Sequence, residues 1–86
     1  MKYFVYILKS LQFDKTYVGI TNKIERRLGE HNAGKSVYTK KFRPWIIVYK
    51  EEVTNCNIAR EREKNFKSAA GRKKIKNILS NAPVAQ

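Results

Sequence analysis

The apolar segment at residues 3–8 (YFVYIL) constrains the fold more than any other part of the chain. It combines β-branched, aromatic and aliphatic residues without polar alternation, which is typical of a strand covered on both faces. After a turn at residues 11–15, a second apolar segment at residues 16–20 is expected to return antiparallel to the first. A strand with two covered faces predicts an α/β domain in which helices flank a small sheet.

The remaining elements follow from helix and strand signals. A first helix is predicted from an N-cap at Asn22, with Glu25 completing a capping box, to a left-handed stop at Gly34. We expect a basic loop over residues 35–44, a third strand over residues 45–49, a helix opening at residue 54 or 55, and a short helix after Gly71. The predicted order is β-β-α-β-α-α, with a three-stranded, mainly antiparallel sheet. With 86 residues, we expect one domain over residues 1–80 and a flexible tail over residues 81–86.

Charged residues occupy helix positions where the apolar pattern calls for core residues. In the first helix Ile24 and Leu28 set the apolar stripe, and Arg27 and His31 complete it. Such groups either line a wet pocket or find partners at a desolvation cost. Two interpretations stay open: both are site residues, or they are a snorkelling arginine and a satisfied core histidine.

A second set of candidates lies on the hairpin and on the helix after the third strand. Tyr6 and Tyr17 are expected to lie near each other, either as core residues or as site residues. The inner stripe of the later helix contains Glu63, unless a rotation of the helix brings Glu61 inward instead.

The net charge of +12 points to an anionic partner. Nucleic acid is the first expectation and an anionic membrane the second, although no apolar run reaches the ~18 residues of a membrane span. No secretory signal pattern precedes the first strand, and the single Cys56 has no internal disulfide partner, so we expect a cytoplasmic protein. Eight cations are expected to contact phosphates, unless they only form solvated surfaces: Lys35, Lys40, Lys41, Arg43, Lys67, Arg72, Lys73 and Lys74.

The inward groups are those that phosphodiester hydrolysis requires. Arg27 can hold phosphate oxygens, and Glu63 can bind Mg²⁺ or Mn²⁺. A phenol (Tyr6 or Tyr17) or the His31 imidazole can take a proton from the attacking water. A single inward acid predicts a site for one metal ion.

The chain resembles the GIY-YIG nucleases, whose two tripeptides appear as residues 5–7 (VYI) and 17–19 (YVG). The resemblance covers residues 3–79 and is closest to small stand-alone bacterial members similar to the incision subunit of excision repair. It implies that Tyr6, Tyr17, Arg27 and His31 are catalytic and that Glu63, rather than Glu61, binds the metal. Some relatives have a lysine at the position of Ile20 that helps to activate the tyrosine, so proton abstraction here is expected to depend on His31 or on a phenol made more acidic by the metal.

The function that the resemblance implies is a metal-dependent endonuclease that acts on DNA in preference to RNA. The main alternative is a non-catalytic nucleic-acid-binding module with the same fold. A third interpretation is a subunit that works only with a protein partner, since relatives carry separate targeting domains.

Overall fold

The central strand of the sheet is β1, as its apolar run predicts. The computed structural model describes residues 2–81. Its elements are β1 (Tyr3–Ser10), β2 (Thr16–Thr21), α1 (Ile24–Asn32), α2 (Val37–Lys40), β3 (Trp45–Val53), α3 (Cys56–Lys67) and α4 (Ala69–Asn81). The strand order is β2-β1-β3, and β1 pairs antiparallel with both neighbours. The predicted α/β class and three-stranded antiparallel sheet are therefore confirmed.

Successive side chains of β1 point to opposite faces of the sheet, and each face has its own core. Val5 and Ile7 belong to one core, together with Ala59 and Phe66 of α3. Tyr6 belongs to the other core, which also contains Leu8 and Trp45 and receives Ile24 and Leu28 from α1. This division places Tyr6 on the α1 side of the sheet, whereas α3 packs against the opposite side.

The termini of the helices follow the sequence signals in two of three cases. Gly34 has φ +81°, and the N–H groups of Gly34 and Lys35 donate to the carbonyls of His31 and Glu30, which is the Schellman arrangement. The Asn55 side chain caps α3 by accepting from the N–H of Asn57 at 2.7 Å.

The predicted cap of α1 is wrong. The N-cap residue is Lys23, which makes no side-chain cap, instead of Asn22. The hydroxyl of Thr21 accepts from the N–H of Lys23 at 3.1 Å, because β2 continues to Thr21 and leaves only two residues before the helix. The predicted capping box between Asn22 and Glu25 therefore does not describe this helix start.

Several elements also differ from the sequence-based expectations, and strand β1 extends to Ser10, beyond the predicted residue 8. The short helix α2 lies inside the predicted loop and buries Thr39. Strand β3 continues to Val53 because its charged end still pairs with the start of β1. Helix α4 begins at Ala69, before Gly71, and a Cβ at Gly71 would collide with the backbone oxygens of Asn65 and Phe66. This glycine thus permits close packing instead of marking a boundary.

The predicted tail falls largely outside the described residues. Helix α4 ends at Asn81, and residues 82–86 lie beyond the part of the chain that the structure describes. Among residues 2–81, no helix has both the length and the apolar character that crossing a membrane requires.

Candidate active site

A buried chain of hydrogen bonds links β1, α1 and α2. The hydroxyl of Tyr6 lies 3.0 Å from Nε2 of His31, and Nδ1 of His31 lies 2.7 Å from Oγ1 of Thr39. All three side chains are buried, and the backbone carbonyl of Thr39 accepts from the indole N–H of Trp45 at 2.8 Å. Both imidazole nitrogens are thus bonded to hydroxyl groups, and either tautomer satisfies them.

His31 is held in its neutral form. Burial lowers the pKa of His31, the positive charge of Arg27 lowers it further, and Glu30 opposes both effects. The imidazole has no exposed surface, and its hydrogen-bond partners Tyr6 and Thr39 are buried as well. Its burial matches one of the two interpretations of His31, that of a core histidine whose hydrogen bonds are satisfied. One of its partners, however, is Tyr6, the tyrosine of the first tripeptide.

The two motif tyrosines lie side by side, as predicted. Their ring centroids are 6.3 Å apart, and the Tyr17 ring lies 4.9 Å from that of His31. Burial raises the pKa of Tyr6 to about 12, the neighbouring Tyr17 adds to the increase, and Arg27 opposes it. Tyr6 is 1% exposed, whereas Tyr17 is only partly buried and lines an open groove.

Gly19 explains how the two rings fit together. It pairs directly with Tyr6 across the sheet. A Cβ at residue 19 would lie 2.5 Å from the Tyr6 hydroxyl oxygen, 2.6 Å from Cζ of Tyr6 and 2.9 Å from Cε2 of Tyr17. The last residue of the second motif therefore needs to be glycine because the Tyr6 ring lies over its backbone.

Arg27 lies at the boundary between this buried chain and solvent. Its side chain is 34% exposed, and Nη1 donates to Oε1 of Glu30 at 2.9 Å. The pKa of Arg27 is raised chiefly by its bond to Glu30, and the hydroxyls of Tyr6 and Tyr17 add to the increase. Because a guanidinium has several N–H donors in a planar fork, pairing with Glu30 still allows it to bind a phosphate oxygen.

Of the two candidate acids on α3, Glu63 is the more enclosed. The Glu63 side chain is 28% exposed and pairs with Lys67 at 3.4 Å, whereas Glu61 is exposed. The negative charge of Glu63 contributes to the raised pKa of Tyr6, which places it within electrostatic reach of that hydroxyl. Its neighbour Arg62 pairs instead with Glu51 of β3 at 3.1 Å, so this inward cation has a structural partner.

The chemistry of Glu63 fits a hard divalent cation. A partly exposed carboxylate supplies the oxygen ligands that Mg²⁺ and Mn²⁺ prefer. Within residues 2–81, no group of three or more histidine, cysteine or acidic residues could hold a metal ion. A cation here would therefore have at most two such side chains as ligands, with water completing its coordination, as Mg²⁺ sites commonly do.

The eight candidate phosphate-binding cations are all exposed, but they do not form one cluster. Lys67 and Arg72 line the groove that begins at Tyr17. Lys73 and Lys74 follow on α4 and do not line it. The other four lie on or around α2: Lys35, Lys40, Lys41 and Arg43.

Sequence reasoning missed two residues near the site. Thr39 carries no catalytic signature and lies in a segment with no clear period, so its contact with His31 depends on the fold of α2. Asn32 carries no site signal in the sequence, yet its side chain makes two hydrogen bonds to the backbone of Trp45, at 2.7 and 3.2 Å. These bonds tie the end of α1 to the start of β3.

Comparisons with known proteins show a family and a similar fold. The model of the GIY-YIG catalytic domain matches residues 2–76. The chain is 38% identical over 78 residues to a UPF0213 protein of Staphylococcus haemolyticus, covering 90% of this chain and 94% of the relative. It is 41% identical over 83 residues to a UPF0213 protein of Syntrophus aciditrophicus, covering 93% of each chain. The solution NMR structure of a UPF0213 protein from Bacillus halodurans is similar, with a TM-score of 0.57 and 27% identity over 98% of this chain and 89% of that one.

Proposed function

The chain belongs to the GIY-YIG catalytic domain family, and from this we propose that it is a metal-dependent endonuclease that hydrolyses phosphodiester bonds in DNA. One observation carries the proposal: residues that this chemistry needs lie around Tyr6. The Tyr6 hydroxyl is bonded to His31 at 3.0 Å, the Tyr6 ring lies 6.3 Å from the Tyr17 ring, and the charges of Arg27 and Glu63 act on the Tyr6 hydroxyl. These residues come from four different elements, which favours a site over chance packing.

Arg27 is proposed to bind the phosphate that is cut. Its planar fork matches the phosphate oxygens, and its charge balances the negative charge that grows in the transition state. The bond to Glu30 orients the guanidinium before substrate arrives. This arrangement reduces the cost of ordering a long side chain at the moment of reaction.

Tyr17 is proposed to receive the proton of the attacking water. Of the three proton-accepting candidates, Tyr6 and His31 are buried, whereas Tyr17 lines the open groove. The water oxygen forms a bond to phosphorus while its proton moves to the hydroxyl oxygen of Tyr17, which passes its own proton to solvent, and the bond from phosphorus to the leaving sugar oxygen breaks. The sugar oxygen then takes a proton from solvent.

The buried chain from Thr39 through His31 to Tyr6 is proposed to position the Tyr6 ring rather than to exchange protons with solvent. Each member has its partner within 3.0 Å, so rotation of the Tyr6 ring would break a buried hydrogen bond. A fixed Tyr6 in turn fixes the ring of Tyr17 beside it.

Glu63 is proposed to hold Mg²⁺ or Mn²⁺. When bound, the cation would supply positive charge to the phosphate oxygens. The pairing of Glu63 with Lys67 is an exposed interaction of small energy, so it would compete only weakly with a divalent cation.

The test compares Glu63→Gln with Glu61→Gln on the same helix. Both variants remove one charge from α3, but only the first removes the carboxylate near Tyr6. We expect Glu63→Gln to stay folded, to lose cleavage with Mg²⁺ or Mn²⁺, and to bind DNA as well as or slightly better than the parent protein. Glu61→Gln should cleave like the parent.

Cleavage and binding are measured on the same preparations, with duplex, single-stranded, flapped and branched DNA and with RNA. An active Glu63→Gln protein would refute the one-metal mechanism. A parent protein that binds DNA but cuts none of these substrates with either metal would favour a binding module, or a subunit that needs a protein partner.

A further inference from the structure

An open groove runs from Tyr17 along β2 and between α2 and α4. It consists of two adjoining hollows of about 420 and 610 Å³. Four residues line both hollows, so the two are continuous: Thr16, Tyr38, Arg72 and Ile75. The groove therefore leads away from the candidate active site instead of closing over it.

Tyr38 presents an aromatic ring to this groove. Tyr38 is 47% exposed although it is large and aromatic. Neighbouring rings support it: Phe42 at a centroid distance of 5.3 Å and Tyr17 at 6.3 Å. The next residue, Thr39, is buried and bonded to His31, so the position of Tyr38 is fixed relative to the site.

The walls of the groove are cationic at both ends. Lys67 lies at the Tyr17 end, Lys15 and Lys76 lie at the far end, and Arg72 lines both hollows. Asp14 is the only acid among the lining residues of either hollow. An anionic polymer that follows the groove would meet positive charge before and after Tyr38.

We propose that this groove binds an unpaired strand of nucleic acid, with one base stacked on Tyr38 and the adjoining phosphates on the two cationic ends. An exposed ring between cations is the arrangement that binds single strands without sequence preference. Bases in a duplex are stacked on one another and present only their edges in the grooves, so they cannot cover the face of Tyr38. This groove would be a strand-binding surface of the proposed nuclease. Binding itself does not require the nuclease activity, and only the cleavage of the bound strand rests on the proposed function.

The test measures binding without metal, so cleavage plays no part. A labelled oligodeoxythymidine and a hairpin duplex with the same number of phosphates are titrated with the parent protein and with Tyr38→Leu, Tyr38→Phe and Phe13→Leu. Phe13 is the matched control because it is 44% exposed, also packs against Phe42, and does not line the groove. Circular dichroism checks that each variant is folded.

We expect Tyr38→Leu to weaken single-strand binding by about 5- to 150-fold, the loss of one stacked base. Duplex binding should change less than about twofold, since phosphate contacts remain. Tyr38→Phe and Phe13→Leu should bind like the parent. A strand with abasic sites should bind the parent as weakly as oligodeoxythymidine binds Tyr38→Leu.

Several results would overturn the inference: no loss in Tyr38→Leu, an equal loss for duplex and single strand, or the same loss in Phe13→Leu. The proposed nuclease can fail separately. Binding that depends on Tyr38 in a protein that never cuts would support the groove and reject the nuclease. If cleavage depends on Glu63 and Tyr38→Leu leaves the single-strand affinity unchanged, the nuclease is supported and the strand-binding groove is rejected.

Discussion

Gly19→Ala should destabilise the protein through a single steric conflict. The added methyl group would lie 2.5 Å from the Tyr6 hydroxyl oxygen and 2.6 Å from Cζ, well inside normal contact distance. The Tyr6 ring has little freedom to move, because it is buried and its hydroxyl is bonded to His31 at 3.0 Å. Gly19 does not have a positive φ, so backbone strain does not contribute.

The cost can be estimated from two terms. Overpacking a well-packed core by a methyl group typically costs ~1–3 kcal/mol. If the Tyr6 ring moves to relieve the contact, the hydrogen bond to His31 is lost or weakened, which adds ~1 kcal/mol. We therefore expect the free energy of unfolding to fall by ~2–4 kcal/mol and cleavage to fall with it, because Tyr6 and Tyr17 are displaced.

The measurement is chemical denaturation followed by circular dichroism and by the fluorescence of Trp45, which is buried. Gly29→Ala is the control, because nothing lies within 4 Å of a Cβ at that position of α1. It should stabilise the protein by ~0.5–1 kcal/mol, since alanine has the higher helix propensity.

A double-mutant cycle sharpens the test. Tyr6→Phe removes the oxygen that makes the closest contact, so Gly19→Ala should cost less in that background. The geometry would be contradicted if the free energy of unfolding of Gly19→Ala lay within ~0.5 kcal/mol of the parent value while Gly29→Ala behaved as expected. In that case the Tyr6 ring does not lie over residue 19.

Three further outcomes follow from charge and burial. Because burial lowers the pKa of His31, the imidazole binds a proton more readily in the unfolded chain than in the native state. The free energy of unfolding should therefore fall as the pH drops below ~6.5, by at most ~1.4 kcal/mol per pH unit. Denaturation at several pH values should show this slope in the parent and not in His31→Gln. Arg27→Ala should fold, but its cleavage rate should fall ~10²–10³-fold. The control is Arg26→Ala, which should cleave like the parent because the Arg26 side chain is 70% exposed. If Arg27→Ala is largely unfolded and its folded fraction is still active, Arg27 has a purely structural role. The logarithm of the affinity for duplex DNA should fall linearly with the logarithm of the salt concentration, with a slope of about −0.9 per phosphate neutralised. Charge reversal at Lys73 and Lys74 should weaken binding to all sequences alike. An affinity that does not depend on salt would contradict the role assigned to the net charge.

The sequence by itself determined the elements whose signals are local. The uninterrupted apolar run of β1 marked the central strand, because only a strand with two covered faces lacks polar alternation. Gly34 was identified as a helix end, and the start of α3 was placed at residue 54 or 55, because a left-handed residue and an N-cap are properties of a few adjacent residues. The inward stripe of α1 likewise pointed to Arg27 and His31, since helical periodicity is written into the chain.

Resemblance supplied what periodicity left open. The rotation of α3 could not be chosen from its own pattern, because Glu61 and Glu63 both flank its apolar stripe. The motif selected Glu63, and the structure agrees in leaving Glu61 exposed. The roles of these residues in catalysis remain the prediction that the nuclease assays test.

Only the tertiary structure decided which groups meet. Thr39 is eight residues from His31 and belongs to a segment with no clear period. No local sequence signal therefore indicates that its hydroxyl bonds to Nδ1 of the His31 imidazole. The groove depends on β2, α2 and α4 lying side by side, and it brings Tyr38 and Arg72 together from distant parts of the chain. Contacts of this kind arise from packing between elements, which no short stretch of sequence encodes.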